Sequence, residues 1–306
     1  MIPPPRDEEP LVNLAELTEI ELIILKRLRE FTGGEHRSTV HGTGFDYVGL
    51  REWMPGDRTS AIDWAQSSLT NFSPLIVRDF EQPSTATVMA VADTSLSTRC
   101  GIDGVSIAAA IARAIGTIGM SAVFFQDSFG LITFDTGFEN LGAVRPSIGR
   151  GQVVHCLDAY QQGIGLQEIR PAGELSTRIG GFLRKTSLVP VISDFLFDNT
   201  AEFLRELALL NSAHDVFIVM IDSAFAFELP PLAAGWVETF DVETGRSRVL
   251  SRRSMQTLSD RMRSWQDEVQ RQAHEEGLDV VRVSTDDVQT AMALGEFVAE
   301  RRLRKM

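Results

Sequence analysis

Apolar positions along the chain follow two rhythms. From Leu14 to Phe31, Leu17, Ile20, Ile24 and Leu28 recur every three or four residues with Leu25 beside them, which predicts an amphipathic helix closed by Gly33-Gly34. Further on, continuous apolar runs stand apart from one another: Thr87–Ala92, Phe129–Phe134, Leu188–Ser193, Asp215–Ile221 and Val280–Val283. Such runs suit strands buried on both faces. Between them lie helical patterns at Val105–Ala122, Val153–Tyr160, Leu175–Arg184, Ala201–Leu210 and Arg252–Glu276, with a last helix reaching about Arg304. Alternation of this kind predicts an α/β fold, a doubly wound and mostly parallel sheet covered by helices on both sides.

The stretch from 35 to 84 has another texture, rich in Gly, Thr, Ser, Asp and aromatics. Tyr47–Trp53 reads as a strand and Met54-Pro55-Gly56-Asp57 as a turn, with Ile62-Asp63-Trp64 and Leu75–Phe80 following. The expected organisation is therefore residues 1–34 as tail and helix, 35–84 as a small β-rich unit and 85–306 as the α/β domain, with residues 1–10 disordered.

Charge narrows the partners. The 306 residues carry a formal net charge of -13, which disfavours nucleic acid or an anionic membrane surface and suits cations or basic protein faces. Cys100 and Cys156 lie in no metal or disulfide pattern and read as reduced thiols. The N-terminus lacks a basic stretch followed by an apolar run, and charge or glycine interrupts the apolar stretches before the ~20 residues of a membrane span. A cytoplasmic protein is the expectation.

Two strands end in aspartate, Ala90-Val91-Ala92-Asp93 and Val191-Ile192-Ser193-Asp194. Open parallel sheets bind ligands beyond the carboxyl ends of strands where strand order reverses. Neighbouring strands at that reversal would face both carboxylates into one crevice. Asp93, Ser95 and Ser97 alternate, so an extended exit from the strand would turn one carboxylate and two hydroxyls to one side. Oxygen donors of low total charge suit Mg²⁺ or Mn²⁺ with a coordination position left open. The bland alternative is an Asx turn or a helix cap.

Asp93-x-Ser95-x-Ser97 resembles the metal-ion-dependent adhesion motif of von Willebrand factor A domains. The upstream segments Gly42-Thr43-Gly44-Phe45-Asp46, Leu50-Arg51-Glu52-Trp53-Met54-Pro55-Gly56-Asp57, Ile62-Asp63-Trp64 and Val77-Arg78-Asp79-Phe80-Glu81, with the later Ile192-Ser193-Asp194-Phe195, resemble the bacterial domain of unknown function 58 family. That resemblance implies a von Willebrand factor A-like fold and a partnership with MoxR-type AAA+ ATPases in maturing or remodelling client proteins. It implies metal ligands at Asp93, Ser95, Ser97 and Asp194, with a threonine from a separate loop. The matching loop, Pro171-Ala172-Gly173-Glu174, offers Glu174 instead, with Thr177 as the other choice. The family's basic residues around Ile-Asp-Trp are here Ser60, Ala61, Ala65 and Leu69.

Other chemistry is thin. A Gly-x-Ser-x-Gly elbow and a Walker-type phosphate loop are both missing from the sequence, which points away from serine hydrolysis and ATP hydrolysis. A strand-end aspartate can be a phosphoryl acceptor, yet such sites want a second acid where Ser95 stands. A metal-free interaction scaffold is the other alternative. Asp63 is expected to cap backbone amides and Trp64 to bury its ring between the two units. His36, His41, His155, His214 and His274 read as non-ligands. Arg252-Arg253 and the Arg301–Lys305 tail read as charges placed favourably at helix ends, or as a docking tail for an acidic partner.

Overall fold

The Leu17–Leu28 stripe forms helix α1 (Leu14–Thr32) and buries all four of its apolar anchors. Strands β1 (His41–Gly42) and β2 (Asp46–Glu52), helix α2 (Trp64–Leu69) and strand β3 (Ile76–Glu81) follow. The larger unit then runs β4 (Thr87–Asp93), β5 (Gly101–Ile102), β6 (Val105–Ser106), α3 (Ile107–Phe124), β7 (Ser128–Phe134), β8 (Leu141–Ile148), α4 (Arg150–Gln162) and β9 (Gln167–Ile169). It continues with α5 (Leu175–Phe182), β10 (Leu188–Ser193), α6 (Thr200–Asn211), β11 (Asp215–Ile221), β12 (Trp236–Asp241), β13 (Arg246–Ser251), α7 (Arg252–Glu275), β14 (Asp279–Val283) and α8 (Asp287–Arg304). This computed structural model describes residues 10–32, 41–42, 46–55, 57, 59–81, 85–102, 105–135, 138, 140–170, 173–227, 236–241, 246–284 and 287–304. The sequence readings at residues 1–9, Gly33-Gly34, His36, Thr43–Phe45, Gly56 and Pro171-Ala172 lie outside the described residues.

Seven strands form the main sheet in the order β14-β11-β10-β4-β7-β8-β9. The pairs β7–β8 and β8–β9 are antiparallel and the rest parallel. From β4 the chain moves one way to β7, β8 and β9, then returns to lay β10 on the other side of β4. The topological switch point therefore lies between β4 and β10. Alternate residues of β4 feed opposite cores. Val88, Ala90 and Ala92 join α1, α3, α4 and α8, while Met89 and Val91 join α5, α6 and α7. Pro190 sits inside β10; it has a partner on β11, but the pairing with β4 skips it, as a residue without an N–H requires.

Helix α1 shares its core with α3 and α8 and is tied to them by the ion pairs Arg27–Glu296 and Arg113–Glu16. In packing terms it belongs to the α/β body, and the β-rich segment departs from that body and returns to it. The close approach of α3 to α4 depends on Gly119, where an added Cβ would lie 2.8 Å from Val153 and 3.1 Å from the Phe129 ring. At the far end, Gln266 of α7 donates to the carbonyls of Asp194 and Ile221 and locks that helix to two strand tips.

Several expectations need correction. Helix α3 is long and apolar enough to cross a membrane by composition, although 78% of it is buried inside the fold. Trp64 is 59% exposed, so its ring is not buried between units. Arg252 and Arg253 open α7 instead of closing a helix, where the helix dipole opposes them. Arg301 is committed internally, to Asp215 and Asp279, and is not available as part of a docking tail. Asp63 does cap α2, accepting from the amides of Ala65 and Gln66.

Candidate functional site

The register of β4 against its neighbours brings the strand-end acids together. Ile192 pairs with Ala92, so Ser193 comes level with Asp93, and its hydroxyl donates to Asp93 Oδ2 at 2.6 Å. On the other side Asp93 pairs with Phe134, and Asp135 follows at the tip of β7. The expectation that the Asp93 and Asp194 strands are neighbours thus holds.

The exit from β4 is not extended. Asp93 Oδ1 accepts the Ser95 amide at 2.8 Å, an Asx turn, and Leu96–Arg99 winds into a 3-10 turn with Ser95 at its start. The turn, and not strand alternation, brings the serines together: Ser95 Oγ and Ser97 Oγ are 3.0 Å apart. Thr98 Oγ1 bonds the Ser95 carbonyl, and Thr94 bonds the Phe134 carbonyl through both its amide and its hydroxyl, fixing this loop to β7. Tyr160 of α4 donates its buried hydroxyl to the Asp93 carbonyl at 2.9 Å.

Asp194 lies across the switch point. Oδ1 accepts the Leu196 amide at 3.2 Å, while Oδ2 is shielded from solvent and has no hydrogen-bond partner. Phe195, directly after it, is fully buried at φ 58°, a left-handed conformation that costs energy for a bulky side chain and tends to mark functional sites. Phe195 nonetheless holds its place in an aromatic cluster with Phe197 and Phe203, and Trp265 of α7 donates to its carbonyl.

Electrostatically the site is strained. Asp93 and Asp194 are each 1% exposed. Burial lifts the Asp93 carboxyl above its usual range against the pull of hydrogen bonds from Ser193 and Ser95, and the Asp135 charge adds to the lift. Burial, and then the charge on Asp93, push Asp194 up to about 7. Two desolvated carboxylates, one raised by the charge of the other, can share the site only by keeping a proton or by gaining a cation.

Of the expected ligands, Asp93, Ser95, Ser97 and Asp194 gather here. Glu174 does not join them by any described contact: it is exposed, at the start of α5, and makes no side-chain cap bond. Thr177 is also exposed and lies against Gly173. Among the described residues no group of three or more His, Cys, Asp or Glu side chains is arranged to hold a metal directly. His155 and His274 are exposed, while His214 is buried and accepts the Ser187 amide through Nδ1. Sequence reasoning missed Ser193, Tyr160 and Asp135. Asp135 was open to the same strand-end argument as Asp93, since it directly follows the apolar run Phe129–Phe134.

The fold and this rim define a class: an α/β protein with a seven-stranded, mostly parallel sheet and an acidic, hydroxyl-lined switch point. The chain belongs to the family described as "Protein of unknown function DUF58", whose profile matches residues 49–274. No curated protein matches the chain. Among solved structures it is similar to the conserved hypothetical protein BatB from Bacteroides thetaiotaomicron, at 12% identity and TM-score 0.42, over 72% of this chain and 100% of that one. It is also similar to an aerotolerance-related membrane protein from Bacteroides fragilis, at 14% identity and TM-score 0.42, over 70% of this chain and 99% of the other. A mutant of the PilB minor pilin from Streptococcus sanguinis is 13% identical with TM-score 0.35, over 76% of this chain and 65% of that one.

Proposed function

We propose that this chain is a non-catalytic, metal-ion-dependent protein-binding module of the von Willebrand factor A type. Asp93, Ser95, Ser97 and Asp194 hold Mg²⁺ or Mn²⁺, some of them through water, and one coordination position is left for a carboxylate of another protein. The observation that carries this reading is the buried, unpartnered Oδ2 of Asp194 beside the buried Asp93. No basic side chain makes a described hydrogen bond or ion pair with either carboxylate, and hydroxyls supply neutral oxygens next to them. Such a donor set fits a hard divalent cation, which would supply a positive point for an incoming carboxylate. Ser193 and the Ser95 amide orient Asp93, and Gln266 fixes the backbone of Asp194, so the ligands are held before any partner arrives.

The same contacts support a binding role over phosphoryl transfer. A phosphoryl-accepting aspartate wants a second acid beside it, and two residues on stands Ser95, whose hydroxyl meets that of Ser97. Partnership with a MoxR-type AAA+ ATPase in the maturation of client proteins, in the cytoplasm, is part of this reading and is supported by the sequence resemblance alone. A metal-free scaffold is the second reading. It draws on the exposed Glu174, which leaves the third ligand position without an acid.

Calorimetric titration with Mn²⁺ and Mg²⁺ separates the two. The metal reading expects uptake of one ion, lost in Asp93→Ala, and chelator-sensitive capture of a MoxR-type ATPase. Silent titrations at millimolar metal, with ATPase capture intact in chelator, would establish the scaffold instead.

A further inference from the structure

We infer that Asp135 is a third acidic member of the switch-point site and anchors the water shell of its cation in place of a third-loop side chain. The inference rests on the metal reading above and concerns a residue which that reading does not use.

Position comes first. Asp93 pairs with Phe134, so the tip of β7 ends beside the first ligand, and the double bond from Thr94 to the Phe134 carbonyl ties the two exits together. Asp135 is the first residue past that anchor. Its orientation is fixed as well: Oδ2 accepts from Asn140 Nδ2 at 2.7 Å. The other oxygen, Oδ1, is shielded from solvent and has no hydrogen-bond partner. A carboxylate oxygen left bare in that way is costly unless a cation or an ordered water meets it.

A second unpartnered oxygen points to the same occupant. Asp194 is 1% exposed, its Oδ2 is bare, and the charge on Asp93 across the switch point raises its carboxyl. Asp135 also raises the Asp93 carboxyl through its charge. Asp93 is thus flanked on both neighbouring strands by acids that each keep one oxygen free. One cation with its water shell would meet both oxygens. Asp135 acts through water and not directly, because no three acidic side chains among the described residues are close enough to ligate one ion. Mg²⁺ and Mn²⁺ sites that retain waters accept such an outer carboxylate readily. Glu174, by contrast, stands exposed at a helix start.

The test is Mn²⁺ affinity, read by calorimetry and by the electron paramagnetic resonance signal of free ion, in the full chain. Asp135→Asn keeps the size of the side chain and can still accept from Asn140. It is expected to weaken Mn²⁺ about 10–100-fold, the usual cost of losing an outer-shell partner, with an unchanged melting temperature in chelator. Asn140→Ala, which frees the carboxylate to swing, is expected to weaken Mn²⁺ several-fold and guards against a folding defect in the first variant. Glu174→Gln is expected to bind as the parent does, whereas a third-loop ligand would show a large loss there. Unchanged affinity in both Asp135→Asn and Asn140→Ala, or a loss confined to Glu174→Gln, overturns the inference while leaving the metal reading intact. A parent chain that takes up no Mn²⁺ sinks both.

Discussion

The two rims of the central sheet use the same amino acid to opposite ends. At the amino rim, Asp215 is 5% exposed and is met by the guanidinium of Arg301 at 2.7 Å. That arginine also pairs with Asp279 and lies over the Phe217 and Phe297 rings, 5.3 and 5.4 Å from their centroids. At the same rim Asp127, 1% exposed and ahead of β7, accepts the Ala86 amide at 2.8 Å. At the carboxyl rim, Asp93 and Asp194 are as deeply buried, but their described partners are hydroxyls and amides; burial raises both carboxyls, with the Asp135 charge adding at Asp93 and the Asp93 charge at Asp194. The amino-rim acids are closed contacts, and through Arg301 two of them, Asp215 and Asp279, hold α8 to the sheet. The carboxyl-rim acids are incomplete within the chain. Burial alone does not tell structure from function; whether each buried oxygen finds a partner within the chain does.

That contrast can be broken in order of effect. Arg301→Ala leaves Asp215 buried without its cation and should destabilise the fold by about 3–5 kcal/mol, equally in chelator and in Mg²⁺, by urea or thermal unfolding. A loss below 1 kcal/mol would mean the amino rim is no firmer than the other. Asp194→Asn should do the reverse in chelator near pH 7.5, stabilising the chain by about 1–3 kcal/mol. Each unit of pKa displacement corresponds to about 1.4 kcal/mol, and the amide at Leu196 loses a charged acceptor. The same variant should no longer be stabilised by Mn²⁺; destabilisation in chelator would remove the case for repulsion.

The smallest effect is a slope with pH. Folded Asp194 keeps its proton up to about pH 7, whereas in the unfolded chain the group ionises near its ordinary value of 3.8. Between those limits the folded state binds more protons, so stability falls as pH rises and levels off above the window. In chelator the parent should lose about 1 kcal/mol between pH 6 and pH 7.5, and Asp194→Asn should lose less. A slope that rises with pH would contradict the sign of the shift.

Much of the sheet was legible from patterning because strands buried on both faces are written as unbroken apolar runs. Leu188–Ser193 and Asp215–Ile221 emerge with the expected bounds. Strand β8, Leu-Gly-Ala-Val-Arg-Pro-Ser-Ile, was not, because its second half is exposed and carries Arg145 and Pro146. The β12–β13 hairpin likewise has no continuous run to announce it. In the site, strand-end position identified Asp93 and Asp194, but the expected extended geometry was replaced by a 3-10 turn. Ser193 was hidden because its role depends on cross-strand register, which no local pattern encodes. Glu174 was nominated by loop order alone, and order along the chain does not fix reach in space.

Helix α3 carries a composition that a lipid bilayer would accept, and the stripe of α1 covers part of it. During synthesis the cover leaves the ribosome before the surface it must shield, so this long apolar helix meets a ready partner as it emerges. Deleting α1 would turn an interior element into one that detergent, chaperone or membrane competes to hold.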